Sequence, residues 1–345
     1  MAVFAKNVRR SADCCIALIT LVALAVMAEA AVFATERTES AVQRLGRILF
    51  FDPNLSADGK VSCATCHQPS HEFAENRAVS AGAFGRVGTR NAPSLLGRRT
   101  NDPLFWDGRR PTLESQVMDP IFNPFEHGLA SMDELLKKLG ADTAYEPLFA
   151  AAFEQSTSKV SAANVARALT DFVASIPSAP TRVERFLAGD RKALTDSEKQ
   201  GMEIFAKRAQ CAQCHLIDQR SAGFSDGKFH SVGIGLAQDT PIAPLVLRAL
   251  EKVNAVGLDE AIFSDPEVSQ LGRFLVTKDP RDISKFRTPA LRRVSATAPY
   301  MHDGSIRTLE EALDRELYYR SLASGIPIAL TPDERTDLLA FLSAL

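Results

Sequence analysis

Apolar residues recur every three or four positions from Ser40 to Asp52 (SAVQRLGRILFFD), which predicts an amphipathic helix. Leu194 to Gln210 (LTDSEKQGMEIFAKRAQ) repeats the arrangement, with Thr195 or Asp196 suited to cap it and Glu198 in its first turn. Two further apolar helices are predicted, over Ser161–Ile176 and over Pro332–Leu345, the first ended by Pro177. No stretch alternates well enough to propose a substantial sheet, so the predicted class is all-α with long loops and little or no sheet. Between these helices, Ala78–Pro124 and His230–Asp303 show no helical pattern. Loops of that length inside compact domains are usually functional.

The other apolar run stands at the start of the chain. Cys14–Met27 (CCIALITLVALAVM) follows the basic Lys6, Arg9 and Arg10 and precedes Ala28-Glu29-Ala30. It is short for a membrane span of about 20 residues, and its flanks are those of a cleaved export signal covering residues 1–30. The expected location is therefore the periplasm, with no permanent membrane anchor. The remaining length suits two domains of about 150 residues, and Pro177 and Pro180 place the boundary between 31–180 and 181–345.

With 46% hydrophobic and 24% charged residues, the composition is that of a folded globular protein. A formal net charge of −2, with no basic block beyond pairs such as Arg98-Arg99, argues against a nucleic-acid partner.

Removal of the signal takes Cys14 and Cys15 with it and leaves four cysteines, all in two copies of one pentapeptide pattern. These are Cys63-Ala-Thr-Cys66-His67 and Cys211-Ala-Gln-Cys214-His215. Cys-x-x-Cys-His is the attachment signal for c-type haem. Two thiols add to the two vinyl groups of one porphyrin, and the adjacent His supplies an axial imidazole to the iron. Disulfides suit an exported chain but leave both His residues unexplained. A thioredoxin-like motif wants a βαβ surround, and structural zinc does not call for two such alike pentapeptides. Two covalently bound haems c are the expected cofactors, in two cytochrome c-like domains, each with a helix leading into its attachment loop and long loops wrapped around the haem edges.

Around these motifs the chain carries S-C-A-T-C-H (62–67), G-T-R-N-A-P-S (88–94), F-W-D-G-R (105–109), L-E-S-Q (113–116) and N-P-F-E (123–126). K-F-R-T-P-A-L-R (285–292) and T-A-P-Y-M-H-D-G (297–304) follow. In that order they resemble the bacterial di-haem cytochrome c peroxidase superfamily, which includes MauG, over nearly all of the mature chain. The resemblance implies that hydrogen peroxide reacts at the N-terminal haem, held by Cys63, Cys66 and His67, while the haem of Cys211, Cys214 and His215 handles electrons. It implies that Gln116 and Glu126 do acid–base work over the first iron, that Pro120 packs there, and that Trp106 lies between the haems. It also implies one calcium ion held by Asn91, Thr297 and Pro299, oxygen donors that suit a hard cation, and a homodimer.

Two positions depart from the pattern. The loop Ser80–Gly88 lacks the distal His of peroxidases that require reductive priming, and His71 stands only four residues after His67. This predicts an open, five-coordinate first haem and places the chain nearer the MauG-like branch. Relatives carry a Met or Tyr sixth ligand for the second haem fourteen residues beyond the His that matches His302. Here that residue is Glu316, with Tyr318 and Tyr319 close by; Tyr318 is the expected ligand, ahead of Glu316, and Met301 is another candidate.

The expected function is peroxide reduction. The electrons come from a small cytochrome or cupredoxin, or from a Trp or Tyr side chain of a partner protein substrate; the missing distal His favours the latter. The alternatives are a non-enzymatic di-haem electron-transfer cytochrome, which leaves Gln116 and Glu126 without a task, and a haem-based sensor, for which no signalling domain follows.

Overall fold

Several of the long helices start where a side chain caps the first turn. In the computed structural model, which describes residues 39–97, 102–217, 223–237 and 239–345, helix α1 spans Ala41–Phe51 and buries Leu45, Leu49 and Phe50. Helix α2 spans Ala162–Ser175, capped by the Ser161 hydroxyl, which accepts from the Asn164 N–H at 3.3 Å. Helix α3 (Asp196–Ala206) opens with a reciprocal capping box: Thr195 N–H donates to Glu198 at 2.8 Å, and Glu198 N–H donates to the Thr195 hydroxyl at 3.3 Å. Such a cap satisfies two backbone donors that the first helical turn leaves unpaired.

The segment expected to lack helix, His230–Asp303, carries helix α4 over Ile242–Val256 and a shorter one over Leu258–Ser264. This corrects the sequence reading. Leu245 and Ala249 point inward four residues apart, and Gly257, at φ +87°, ends α4. Helix α5 (Leu309–Ser324) and helix α6 (Pro332–Leu342) each start from a threonine capping box, Thr308 with Glu311 and Thr331 with Glu334. The sheet content is one antiparallel pair, β1 (Phe229–His230) with β2 (Phe286–Arg287). The mainly helical class is as expected.

Ala41–Leu345 form one compact unit that contains separate apolar clusters. One gathers α1, α2, Leu135, Leu139 and Phe149; another gathers α3, α6, Phe224, Leu313 and Leu317; a third packs α4 against Ile262, Val268 and Leu271. Fully burying each such side chain contributes about 1.5–3 kcal/mol.

Two crossings use the same device. A Cβ on Gly46 of α1 would overlap the Ala168 carbonyl and Phe172 Cβ of α2, and a Cβ on Gly201 of α3 would overlap the Asp337 carbonyl and Phe341 Cβ of α6. Glycine therefore lets each pair of helices touch backbone to backbone, with a Phe four residues beyond the carbonyl.

Among the described residues, no helix is long and apolar enough to cross a membrane. The expected signal segment, with Cys14 and Cys15, lies outside the described residues.

Candidate haem centres on one cavity

Ser62 and Thr65 start the turn that presents the first pair of thiols: Ser62 N–H donates to the Thr65 hydroxyl at 3.0 Å, and Cys63–Cys66 forms a single helical turn. The chain then closes back, His67 N–H to the Cys63 carbonyl at 2.8 Å. The second motif does the same, with a 3-10 turn over Cys211–Gln213 and His215 N–H donating to the Cys211 carbonyl at 2.9 Å. In each case the imidazole Nδ1–H donates to a main-chain carbonyl, Phe73 at 3.1 Å for His67 and Phe224 at 2.9 Å for His215. That fixes the ring and the tautomer and assigns Nε2 as the ligating atom. Burial keeps both rings neutral: it lowers the pKa of His67 and takes that of His215 to about 4.

All four cysteines are free thiols. Burial pushes Cys63, Cys66 and Cys211 up to about 12, whereas a hydrogen bond from His230 lowers Cys214. Both motifs line one continuous cavity bounding about 2480 Å³ of space outside protein atoms, part of it open to solvent. Paired thiols, pre-oriented neutral imidazoles and a cavity reaching both fit two covalently held haems.

Gln116, Pro120, Phe125 and Glu126 line the same cavity as both motifs. Gln116 ends the turn Leu113–Gln116, capped by Thr112, and Pro120 lies in the next turn, Asp119–Phe122. Glu126 Oε2 is buried without a hydrogen-bond partner. Burial pushes this carboxyl up to about 7 against the downward pull of the Arg109 guanidinium. The loop Ser80–Gly88 is pinned beside it: Ala83 N–H donates to the Glu126 carbonyl at 2.7 Å, and Gly82 leaves no room for a Cβ against Phe125 and Glu126. His71 is turned elsewhere and donates from Nε2 to the Ala298 carbonyl at 2.7 Å.

Trp106, Asn91, Thr297 and Pro299 also line the cavity. The Asn91 amide nitrogen is spent on the carbonyls of Arg77 (3.1 Å) and Ala78 (3.2 Å), and Thr297 donates to the Val294 carbonyl at 3.1 Å. The Asn91 side-chain oxygen and the Thr297 lone pairs remain as the acceptors a cation would use.

Tyr318 does not line the cavity: it is 51% exposed and sets its ring edge-on to Tyr319. Glu316 does line it, as does Met301. Residues two apart on a helix lie about 200° apart around its axis, so α5 cannot turn Glu316 and Tyr318 to one side. The expectation that favoured Tyr318 over Glu316 rested on tyrosine being the more familiar ligand and did not follow helical phase.

Three residues escaped the sequence reading. Arg109 is buried on the cavity wall, its Nη1 3.1 Å from both Asp107 oxygens and its Nε donating to Asp259 at 2.6 Å. F-W-D-G-R contains it, but nothing in the motif shows which way it points. His127 is buried with Nε2 3.9 Å from Cys63 Sγ and Nδ1 donating to the Leu55 carbonyl at 2.9 Å. Arg320 lines the cavity beside Glu316 and donates to the Gln210 carbonyl at 3.0 Å. Cys214, Asp226 and His230 come within ligating distance of one another, but haem attachment would consume the Cys214 thiol.

A family model described as di-haem cytochrome c peroxidase matches residues 40–192. The cytochrome-c peroxidase IdrP2 of Denitromonas iodatirespirans is 32% identical over 309 residues, covering 87% of this chain and 80% of that protein. The methylamine utilization protein MauG of Methylorubrum extorquens is 33% identical over 307 residues, covering 87% and 77%. Among solved structures, a MauG-like protein associated with microbial copper homeostasis superposes with a TM-score of 0.72 at 31% identity, covering 88% of this chain and 89% of that one.

Proposed function

The chain belongs to the di-haem cytochrome c peroxidase family, and from that premise we propose that it reduces hydrogen peroxide over the haem of Cys63, Cys66 and His67. In this reading residues 31–180 form the peroxide-reactive module, and residues 181–345 carry the haem of Cys211, Cys214 and His215 that passes electrons. The observation that carries it is Glu126, a buried carboxylate with an unpartnered oxygen in the cavity wall shared by Gln116 and the first haem motif.

Each haem, when bound, supplies an iron that changes oxidation state by one electron, so the pair covers the two electrons that turn one peroxide and two protons into two waters. The protein's part is to move protons and hold charge. Glu126 would take a proton from one peroxide oxygen and return it to the other, which leaves as water; a group poised near 7 serves both transfers. The Gln116 amide donates to the departing oxygen, and the Arg109 guanidinium stabilises negative charge that develops there. Pro120 and Phe125 are apolar walls that keep bulk water off the reacting atoms. Trp106, between the two motifs, relays oxidising equivalents, and Asn91, Thr297 and Pro299 hold calcium.

The pinned, histidine-free loop Ser80–Gly88 supports an open first haem, and with it the branch that oxidises a partner protein's Trp or Tyr rather than a small cytochrome or cupredoxin. The site of action is the periplasm. The test is an absorption spectrum of the fully ferric holoprotein before and seconds after one equivalent of hydrogen peroxide. Prompt loss of the ferric Soret band is expected. No change until the protein is half-reduced would mean a closed, gated haem and a conventional donor-dependent peroxidase.

A further inference from the structure

We propose that Glu316 is the sixth ligand of the second haem, one carboxylate oxygen binding the iron opposite His215, with Arg320 as its counter-cation. This deepens the peroxidase reading and rests on haem attachment at Cys211 and Cys214.

The Thr308 capping box fixes where α5 begins, and the helix then sends Leu309, Ala312, Leu313, Glu316 and Arg320 to the cavity. Leu309, Leu313, Glu316 and Arg320 stand four, three and four residues apart, with Ala312 beside Leu313, which is one face of one helix. The face is apolar until Glu316, and a carboxylate placed there is costly unless it is paired or coordinates a metal. Its pairing within the protein is incomplete. Arg320 Nε is 3.5 Å from Glu316 Oε2 without a hydrogen bond, because Arg320 also reaches with Nη1 to the Gln210 carbonyl, the residue before Cys211. The guanidinium is thus fastened to the haem attachment loop and neutralises Glu316 from the side, leaving the carboxylate a lone pair to give.

Three competing donors on this cavity already have partners within the protein. The Tyr300 hydroxyl donates to the Val294 carbonyl at 2.9 Å, His302 Nε2 is bonded to the Gln270 side chain, and His230 Nε2 lies 3.0 Å from Asp226. Tyr318 and Tyr319 are not among the cavity-lining residues of α5. Met301 is the remaining competitor on the cavity wall. Of the two, a carboxylate is the hard, anionic donor; it favours ferric iron and holds the potential low, whereas a Met ligand raises it.

The experiment compares holoprotein variants that carry two haems per chain, by electron paramagnetic resonance of the ferric state and by spectroelectrochemical titration. Glu316→Gln is expected to alter the second-haem resonance and raise that haem's potential, and Glu316→Met to give a His/Met low-spin signature with a further rise. Tyr318→Phe and Met301→Leu should leave both readouts at wild-type values. An unchanged second haem in both Glu316 variants, or a changed one in Met301→Leu, overturns the assignment. If the Glu316 variants lose haem, a crystal structure of wild-type holoprotein decides the matter, by showing a Glu316 oxygen bonded to iron or not. A protein that gives these signatures yet ignores peroxide refutes the peroxidase reading alone. A peroxide-reactive protein without them refutes this assignment alone.

Discussion

The indole N–H of Trp106 donates to the main-chain carbonyl of Asn91 at 2.9 Å. The residue proposed to relay oxidising equivalents is thereby tied to a residue proposed to hold calcium. Trp106 is buried, and its ring meets that of His302 edge-on at 6.4 Å.

From this tie, Trp106→Phe is expected to keep the first haem reactive with peroxide but to slow electron exchange between the haems by about tenfold or more, roughly 1.4 kcal/mol in barrier. Dialysis against a calcium chelator should slow the same step without touching Trp106, because it loosens Asn91. Stopped-flow absorption after a peroxide pulse separates the two phases. Unchanged exchange in both samples would detach Trp106 from the relay.

Glu126→Gln should slow the reaction with peroxide by about 10²-fold. In the wild type the rate should rise with pH through about 7, as the buried carboxyl ionises and can accept the peroxide proton. The variant should be flat over that range. Stability runs the other way. The folded-state pKa of Glu126 is raised above its unfolded value, so the favourable contribution is complete below the ordinary carboxyl range and is lost as pH rises through about 7. Denaturant titrations of holoprotein at pH 5 and pH 8 check the sign.

Arg109→Gln removes the cation that pulls the Glu126 carboxyl down, so the midpoint of the pH–rate profile should move above that of the wild type. The same change leaves buried Asp107 short of its main partner, a loss of about 3–5 kcal/mol for a broken buried pair. Arg90 is 4.0 Å away, too far to replace it fully. A pH–rate profile and a urea titration read the two effects separately.

Gly46→Ala and Gly201→Ala should each destabilise the fold by about 1–3 kcal/mol, since the added methyl overlaps a backbone carbonyl that cannot move without separating two helices. Urea denaturation followed by circular dichroism measures it. Gly140→Ala, where nothing stands within reach of a Cβ, is the control and should be neutral or slightly stabilising.

The haem motifs and helices α1, α2, α3 and α6 were legible because their signals are local: a pentapeptide, a cap and an apolar period. Ser161 and Thr195 mark their helix starts within a few residues of chain. Helix α4 was not legible, since Pro241 precedes it and no side chain caps its first turn. Gln116 and Glu126 were nominated only through motif order; ten residues of sequence say nothing about two turns folding them onto one cavity. Arg109 and Arg320 were missed because their task depends on Asp259 and Gln210, 150 and 110 residues away. Glu316 was already named beside Tyr318. Helical phase measured from Ala312 and Leu313 already separates it from Tyr318.

The glycine joints at Gly46 and Gly201 read as one invention used twice within a single chain. Each seats the helix that leads into a Cys-x-x-Cys-His motif on a later helix in the same way, so this part of the scaffold treats the two motifs alike. The residues proposed to distinguish them hang from the connecting segments, Glu126 on one side and Glu316 on the other. A lineage built so could rewrite the surroundings of one iron while its twin stayed in service.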